Sequence, residues 1–213
     1  MQRVMVVVFV LMLIASAGIA QDEIKGSTAE MKGSGHDMDG SGGAEQEAMM
    51  AKWREYATPG EAHKVLNAIV GSWDYTMQHW MSAGAPAEES IGSSDSSWIM
   101  DGRFVEEKVT GTAMGQPFNG VSIMGYNNGT RKYSSYWFDN MSTGSMFSEG
   151  AYDAASKTIS SAGTFFCPMR AGETAYRSVL TITDENSHSY DMYMTESDST
   201  EFLAMKIVYT RKP

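Results

Sequence analysis

From Gly71 to the C-terminus, apolar and polar residues alternate in short runs rich in Val, Ile, Thr, Tyr, Phe and Trp. A period of two is what a strand with one buried face requires. The runs fall near 72–81, 91–100, 103–112, 117–126, 131–139, 143–152, 157–165, 174–184, 187–195 and 201–211. Asn127-Asn128-Gly129, Asp153-Ala154-Ala155-Ser156 and Asp184-Glu185-Asn186 lie between runs and read as hairpin turns, because Asn, Asp and Gly tolerate tight backbone geometry. No intervening stretch is long enough to be a crossover helix, which argues against a parallel sheet. Ten hairpin-linked strands predict an all-β fold: an antiparallel up-and-down barrel whose closure removes both exposed edges.

Upstream of Gly71 the period changes to that of a helix. Met49, Trp53 and Tyr56 share one face of a predicted helix over 45–57. A second helix is predicted over 59–69. Thr58 is its expected N-cap, Pro59 its first residue and Glu61 the partner that completes a capping box. Ala62, Val65, Leu66 and Ile69 form its apolar stripe. Residues 21–44 are rich in Gly, Ser and acids and are expected to form a disordered tether, since they have too little apolar surface to offset ordering entropy. The chain opens on Arg3, an apolar run from Val4 to Ala15, and small residues at Gly18 and Ala20. That is the layout of a cleavable signal peptide over 1–20, and the run is too short to span a bilayer. The expected organisation is therefore leader, tether and one barrel domain over 45–213. The mature protein is expected to be secreted or periplasmic, without membrane insertion.

The formal net charge of −10 argues against nucleic-acid binding, since phosphates would repel the chain. Cys167 is the only cysteine, so no intrachain disulfide is possible and packing alone must hold the fold.

Gly71-Ser72-Trp73 opens the first predicted strand and Arg211 ends the last. In an up-and-down barrel these strands are neighbours, so the guanidinium can stack on the indole and close the barrel floor. The pairing resembles the Gly-x-Trp and Arg signature of lipocalins. A wider set of segments resembles the uncharacterised lipocalin-like (calycin-type) family known as domain of unknown function 1579. These segments are Pro59-Gly60-Glu61-Ala62-His63-Lys64, Trp98-Ile99-Met100-Asp101-Gly102-Arg103-Phe104 and Gly115-Gln116-Pro117-Phe118-Asn119-Gly120. Gly125-Tyr126-Asn127, Tyr136-Trp137-Phe138-Asp139, Ser148-Glu149-Gly150-Ala151-Tyr152-Asp153, Arg177-Ser178-Val179 and Tyr209-Thr210-Arg211 continue it. The resemblance implies the barrel and assigns no reaction. Asn127 stands where the family pattern has Asp, so a carboxylate is missing there.

The sequence holds no nucleophile elbow, no His-Glu-x-x-His, no Cys-x-x-Cys and no Gly-rich strand-to-helix loop, so no catalytic residue is assigned. His36, His63, His79 and His188 have no metal-ligand spacing, and no metal site or cofactor is expected. With Trp73 inward, alternation also places Tyr75, Met77 and His79 inward. His79 is thus either a ligand contact, with haem ligation as a minor reading, or a rim residue. His63 is either a cavity residue or a helix-flank residue. Arg103 and Arg177 lie within apolar strands; each is either structural, as an internal ion pair with Glu106, Glu107 or Glu149 or as an outward, wet side chain, or a contact for an anionic ligand. The abundant Met residues read mainly as adaptable core filling, with copper(I) as a lesser reading.

These features favour a binding protein. It would hold a hydrophobic ligand, able to carry one acidic group, in the barrel cavity. Trp98, Tyr126, Tyr136, Trp137 and Met146 are the expected apolar walls, with Arg103, Arg177 and His79 as polar anchors. Two alternatives stand beside it. One is a cavity isomerase or hydrolase of a lipid-like molecule using His79, Glu107 or Glu149. The other is a filled barrel serving as a structural or interaction module.

Overall fold

The computed structural model describes residues 41–196 and 199–213. The expected leader and most of the expected tether lie outside the described residues. Helix α1 spans Ser41–Ala57, α2 spans Glu61–Lys64, and a 3₁₀ helix continues from it over Val65–Ile69. Ten strands follow: β1 (Gly71–His79), β2 (Glu88–Ile99), β3 (Phe104–Ala113), β4 (Gln116–Asn127), β5 (Lys132–Asp139), β6 (Met146–Asp153), β7 (Thr158–Cys167), β8 (Gly172–Asp184), β9 (Ser187–Thr195) and β10 (Glu201–Arg211). Each strand pairs antiparallel with the next, and β1 pairs with β10, so the sheet closes as a barrel in up-and-down order. The predicted strand positions and their order agree with this within a few residues. Closure leaves no unpaired edge to promote aggregation.

The turns form for the reasons their residues suggest. Asn127 Oδ1 accepts bonds from Gly129 N at 2.8 Å and Thr130 N at 3.2 Å. The amide oxygen thus makes the two turn bonds that an Asp carboxylate could also accept. Asp153 Oδ1 accepts from Ala155 N at 2.9 Å, and Asp184 Oδ1 accepts from Asn186 N at 2.8 Å. The neighbouring Asn128 has a different task. Its side-chain NH2 donates to the carbonyls of Glu55, Tyr56 and Thr58, at 3.3, 3.0 and 2.9 Å. It thereby caps the orphan carbonyls at the end of α1 and ties that end to the β4–β5 turn.

The start of α2 differs from the expectation. Gly60, not Thr58, is the N-cap. Thr58 Oγ1 instead donates back to Arg54 O at 2.6 Å. The reciprocal partner is His63, not Glu61: Gly60 N donates to His63 Nδ1 at 3.0 Å, and His63 N donates to Gly60 O at 3.0 Å. An imidazole nitrogen replaces the usual carboxylate of a capping box.

The helical connection from α2 into β1 seals one end of the barrel. Leu66 and Ile69 pack among Val105, Tyr133, Ile159 and Leu180, with Trp98, Met124, Tyr126 and Tyr152 around them. Tyr133 Oη donates to Ala62 O at 2.7 Å and Trp98 Nε1 donates to Asn67 Oδ1 at 2.9 Å, so two strands hold the plug by directed bonds. The opposite end is bounded by the hairpin loops β1–β2, β3–β4, β5–β6, β7–β8 and β9–β10.

Candidate functional site: the barrel interior

Just above the plug, the barrel floor is built around Trp73, which has no exposed surface. Its indole N–H donates to Ile69 O at 2.9 Å. The Arg211 guanidinium carbon sits 4.1 Å from the centre of the Trp73 ring. Arg211 also donates to Val70 O at 2.9 Å and to Glu185 O at 2.7 Å. Gly71 has φ +136, and a Cβ there would overlap Arg211 Nη1, so glycine is required on both counts. His188 lies on the other side of Trp73. It meets the indole edge-on at 4.4 Å and stacks on Tyr209 at 4.3 Å. Burial, with Arg211 nearby, pulls its pKa down to about 4, so the ring is neutral; its Nδ1 has no hydrogen-bond partner.

Above the floor, alternation turns a hydroxyl or carboxyl inward on strand after strand. Ser94, Ser148 and Ser178 are buried, and Ser122, Ser135 and Ser161 share their inward parity. Ser135 pairs with Ser148 and Ser161 with Ser178 across adjacent strands, while the Ser122 and Ser135 hydroxyls are 3.5 Å apart. The belt continues through Tyr190, whose hydroxyl faces Ser178, and through the cross-strand pair Tyr209 and Tyr75. Glu107 closes it, paired across β3–β4 with Ser122.

Glu107 is the one carboxyl in this belt. Its neighbour Glu106 points outward and pairs with Lys108 at 3.0 Å, as adjacent strand residues must diverge. Glu107 itself takes part in no ion pair among the described residues. Burial pushes its pKa up, and the nearby Ser94 and Tyr209 hydroxyls offset part of that rise. Ser94 Oγ is fully buried and stands beside the carboxyl. Burial also raises the hydroxyl pKa values of Tyr75, Tyr190 and Tyr209, and the Glu107 charge raises them further.

Large and small inward residues interlock. Tyr75 lies across Gly92 and Gly111, and Trp137 across Gly120; a Cβ at any of these glycines would overlap the ring. Toward the loop end, Met77, Phe118, Trp137 and Ile207 form an apolar upper layer. Phe118 and Trp137 stack at 6.2 Å, and Trp137 Nε1 donates to Asp139 Oδ2 at 2.8 Å. Glu107, Ser122, Ser135 and Tyr190 take the inward parity at mid-strand and are partly buried. A surface concavity of about 630 Å³ lies on the outer face of β10, β1, β2 and β3. It is broad and open, and its convergent groups are mostly threonine hydroxyls, so it lacks the enclosure of the interior.

The residues expected at the site scatter. Trp137 and Met146 do face the upper interior. His79 is the last residue of β1, at the loop-end rim, paired across the ladder with Met205 and Glu88. Trp98 and Tyr126 belong to the plug layer. His63 caps α2 and meets Tyr126 edge-on at 5.5 Å, and burial lowers its pKa.

Three expectations fail. Tyr136 is on the outer face, against Phe147 at 4.8 Å, because Tyr133 and Trp137 take the inward parity of β5. Arg177 is also outside: its buried neighbours Tyr176 and Ser178 point in, and Arg177 pairs with Glu201 at 2.8 Å and lies over Tyr193. Arg103 sits in the β2–β3 turn and donates to Met100 O at 3.1 Å. Neither arginine needs an internal partner. Glu149, a candidate of the enzyme reading, is bound by Lys132 at 3.3 Å and is likewise not part of the belt. The sequence reading missed the serine and tyrosine belt and the central place of Glu107 within it.

The model of the family described as "Protein of unknown function (DUF1579)" matches residues 58–211. The chain belongs to this family. Among solved structures, the crystal structure of Rv2717c from M. tuberculosis is similar with a TM-score of 0.51 at 14% identity, over 73% of this chain and 100% of that one. A redesigned beta barrel aligns over 74% of this chain and 100% of its own with a TM-score of 0.37 at 15% identity. The first likeness is one of fold. No curated protein matches.

Proposed function

We propose that this DUF1579 protein is an exported binder of a small amphipathic molecule, held in the barrel with its polar end at the hydroxyl belt. The observation that carries this reading is Glu107: a carboxyl turned into the barrel, without an ion-pair partner, beside the buried Ser94 and Tyr209 hydroxyls. Buried polar groups are costly unless partnered, and a ligand or water can complete them. The apolar upper layer would hold the rest of the molecule. With Arg103 and Arg177 outside the cavity, an acidic ligand loses the anchors expected for it, so the ligand is neutral or basic. The leader-like segment at 1–20 supports export.

Native mass spectrometry of protein purified from its own host tests this reading. A co-purified small molecule of one-to-one stoichiometry is the expected result. A bare mass, together with no thermal shift across a panel of amphiphiles, would refute it.

A further inference from the structure

The polar belt is chemically one-sided. It offers a carboxyl, serine hydroxyls and phenol rings. The nearby cation, Arg211, is spent on Trp73 and on the carbonyls of Val70 and Glu185. His188 is packed between two rings. A carboxylate ligand would meet Glu107 with like charge and find no free cation. An ammonium would find the reverse. It brings three donors, and the Glu107 carboxyl and the neighbouring Ser94 Oγ can both accept. Tyr75 and Tyr209, whose ring centroids lie 5.9 Å apart, stand near the same carboxyl, and the Tyr209 hydroxyl reaches it.

We propose that Glu107, flanked by Ser94 and Tyr209, is the polar anchor of the cavity and selects amphiphilic amines over carboxylates of the same shape. This rests on the binding reading above and names the class of ligand. Burial pushes the carboxyl pKa up, and an ammonium beside it would oppose that rise by stabilising the charged form.

The test compares octylamine, octanol and octanoate by calorimetry at pH 7 on the full chain. Octylamine should bind at one site at least tenfold more tightly than octanoate, with octanol between them. E107Q should bring the amine-to-carboxylate ratio close to one while octanol binding persists. Because the chain is acidic overall, E106Q is the control: it removes the outward carboxylate one residue away and should leave the ratio unchanged. Circular dichroism checks the folding of each variant; should E107Q fail to fold, S94A replaces it and should lower octylamine affinity severalfold. Octanoate binding as tightly as octylamine overturns the anchor role and leaves the binding reading intact. So does an E106Q effect as large as that of E107Q. Binding of none of the three overturns both.

Discussion

Arg211 lies over the face of Trp73 at 4.1 Å and reaches past it to the Val70 carbonyl, so one side chain joins the last strand to the first and to the plug. Its removal costs more than a stacking contact. A desolvated cation–π pair contributes about 2 kcal/mol. The abandoned Val70 and Glu185 carbonyls add to that, giving a loss of about 3 kcal/mol for R211A. For a domain of this size the melting temperature should fall by about 6–12 °C. Gly71→Ala should also destabilise, because its Cβ would displace Arg211 Nη1. The two substitutions share one contact, so the double variant should lose less than the sum of the singles. Additive losses in denaturant titrations would disprove the shared contact.

His188 makes the floor sensitive to acid. Its pKa is about 4 in the folded protein, against an ordinary histidine value of 6.5 once the chain unfolds. Below pH 6.5 the unfolded chain takes up a proton that the folded chain refuses. Stability attributable to His188 is therefore complete above pH 6.5 and is lost as pH falls toward 4, by roughly 3 kcal/mol in all. Urea titrations of wild type and H188Q at pH 7, 6, 5 and 4 measure this. The difference between the two proteins should shift in favour of H188Q as pH falls. A difference that stays constant would rule out the neutral, buried imidazole.

The plug depends on directed bonds, among them those of Tyr133 and His63. Y133F removes the bond from Tyr133 Oη to Ala62 O and should cost about 1 kcal/mol. H63A removes the α2 cap and its packing on Tyr126 and should cost about 1–2 kcal/mol. Both act on the same end of the barrel, so amide exchange should accelerate in the plug and at the adjoining ends of β4 and β5 before it does at the loop end. Uniform acceleration would show that the plug is not a separable unit.

The architecture was legible because a closed barrel imposes one inward face on every strand, and that constraint writes a period of two into the sequence. Trp73 and Arg211 were legible because they sit at the two ends of the strand series that closure brings together. The interior chemistry was harder to read. Tyr136-Trp137-Phe138 is apolar on both parities, so alternation cannot say which ring points in. Arg177 stands between Tyr176 and Val179 in a strand with apolar groups on both faces. The belt left no hydrophobic signal: inward serines look like surface residues to any hydrophobic pattern. The one clue was the register, with Ser135, Ser148, Ser161 and Ser178 at matching steps of successive hairpins. His63 reads from the sequence as either a cavity residue or a helix-flank residue, and its capping bond depends on a backbone N–H that only the fold places.

The serine belt gives a direct measure of whether the interior holds usable space. Ser135 points inward and retains accessible surface, and its hydroxyl is 3.5 Å from that of Ser122. Ser135→Leu places a branched apolar group into that region. In a tightly filled core such overpacking costs about 1–3 kcal/mol. With space available, the leucine should be accommodated with a stability change below about 1 kcal/mol. The same leucine would occupy room that the ligand needs, so octylamine affinity should fall at least tenfold while the fold stands. Ser160→Leu, on the outer face of β7, is the matched control and should alter neither quantity greatly. Stability that drops by several kcal/mol would mean a filled barrel and would favour a structural role. Stability and affinity both unchanged would mean that the amine binds elsewhere on the protein.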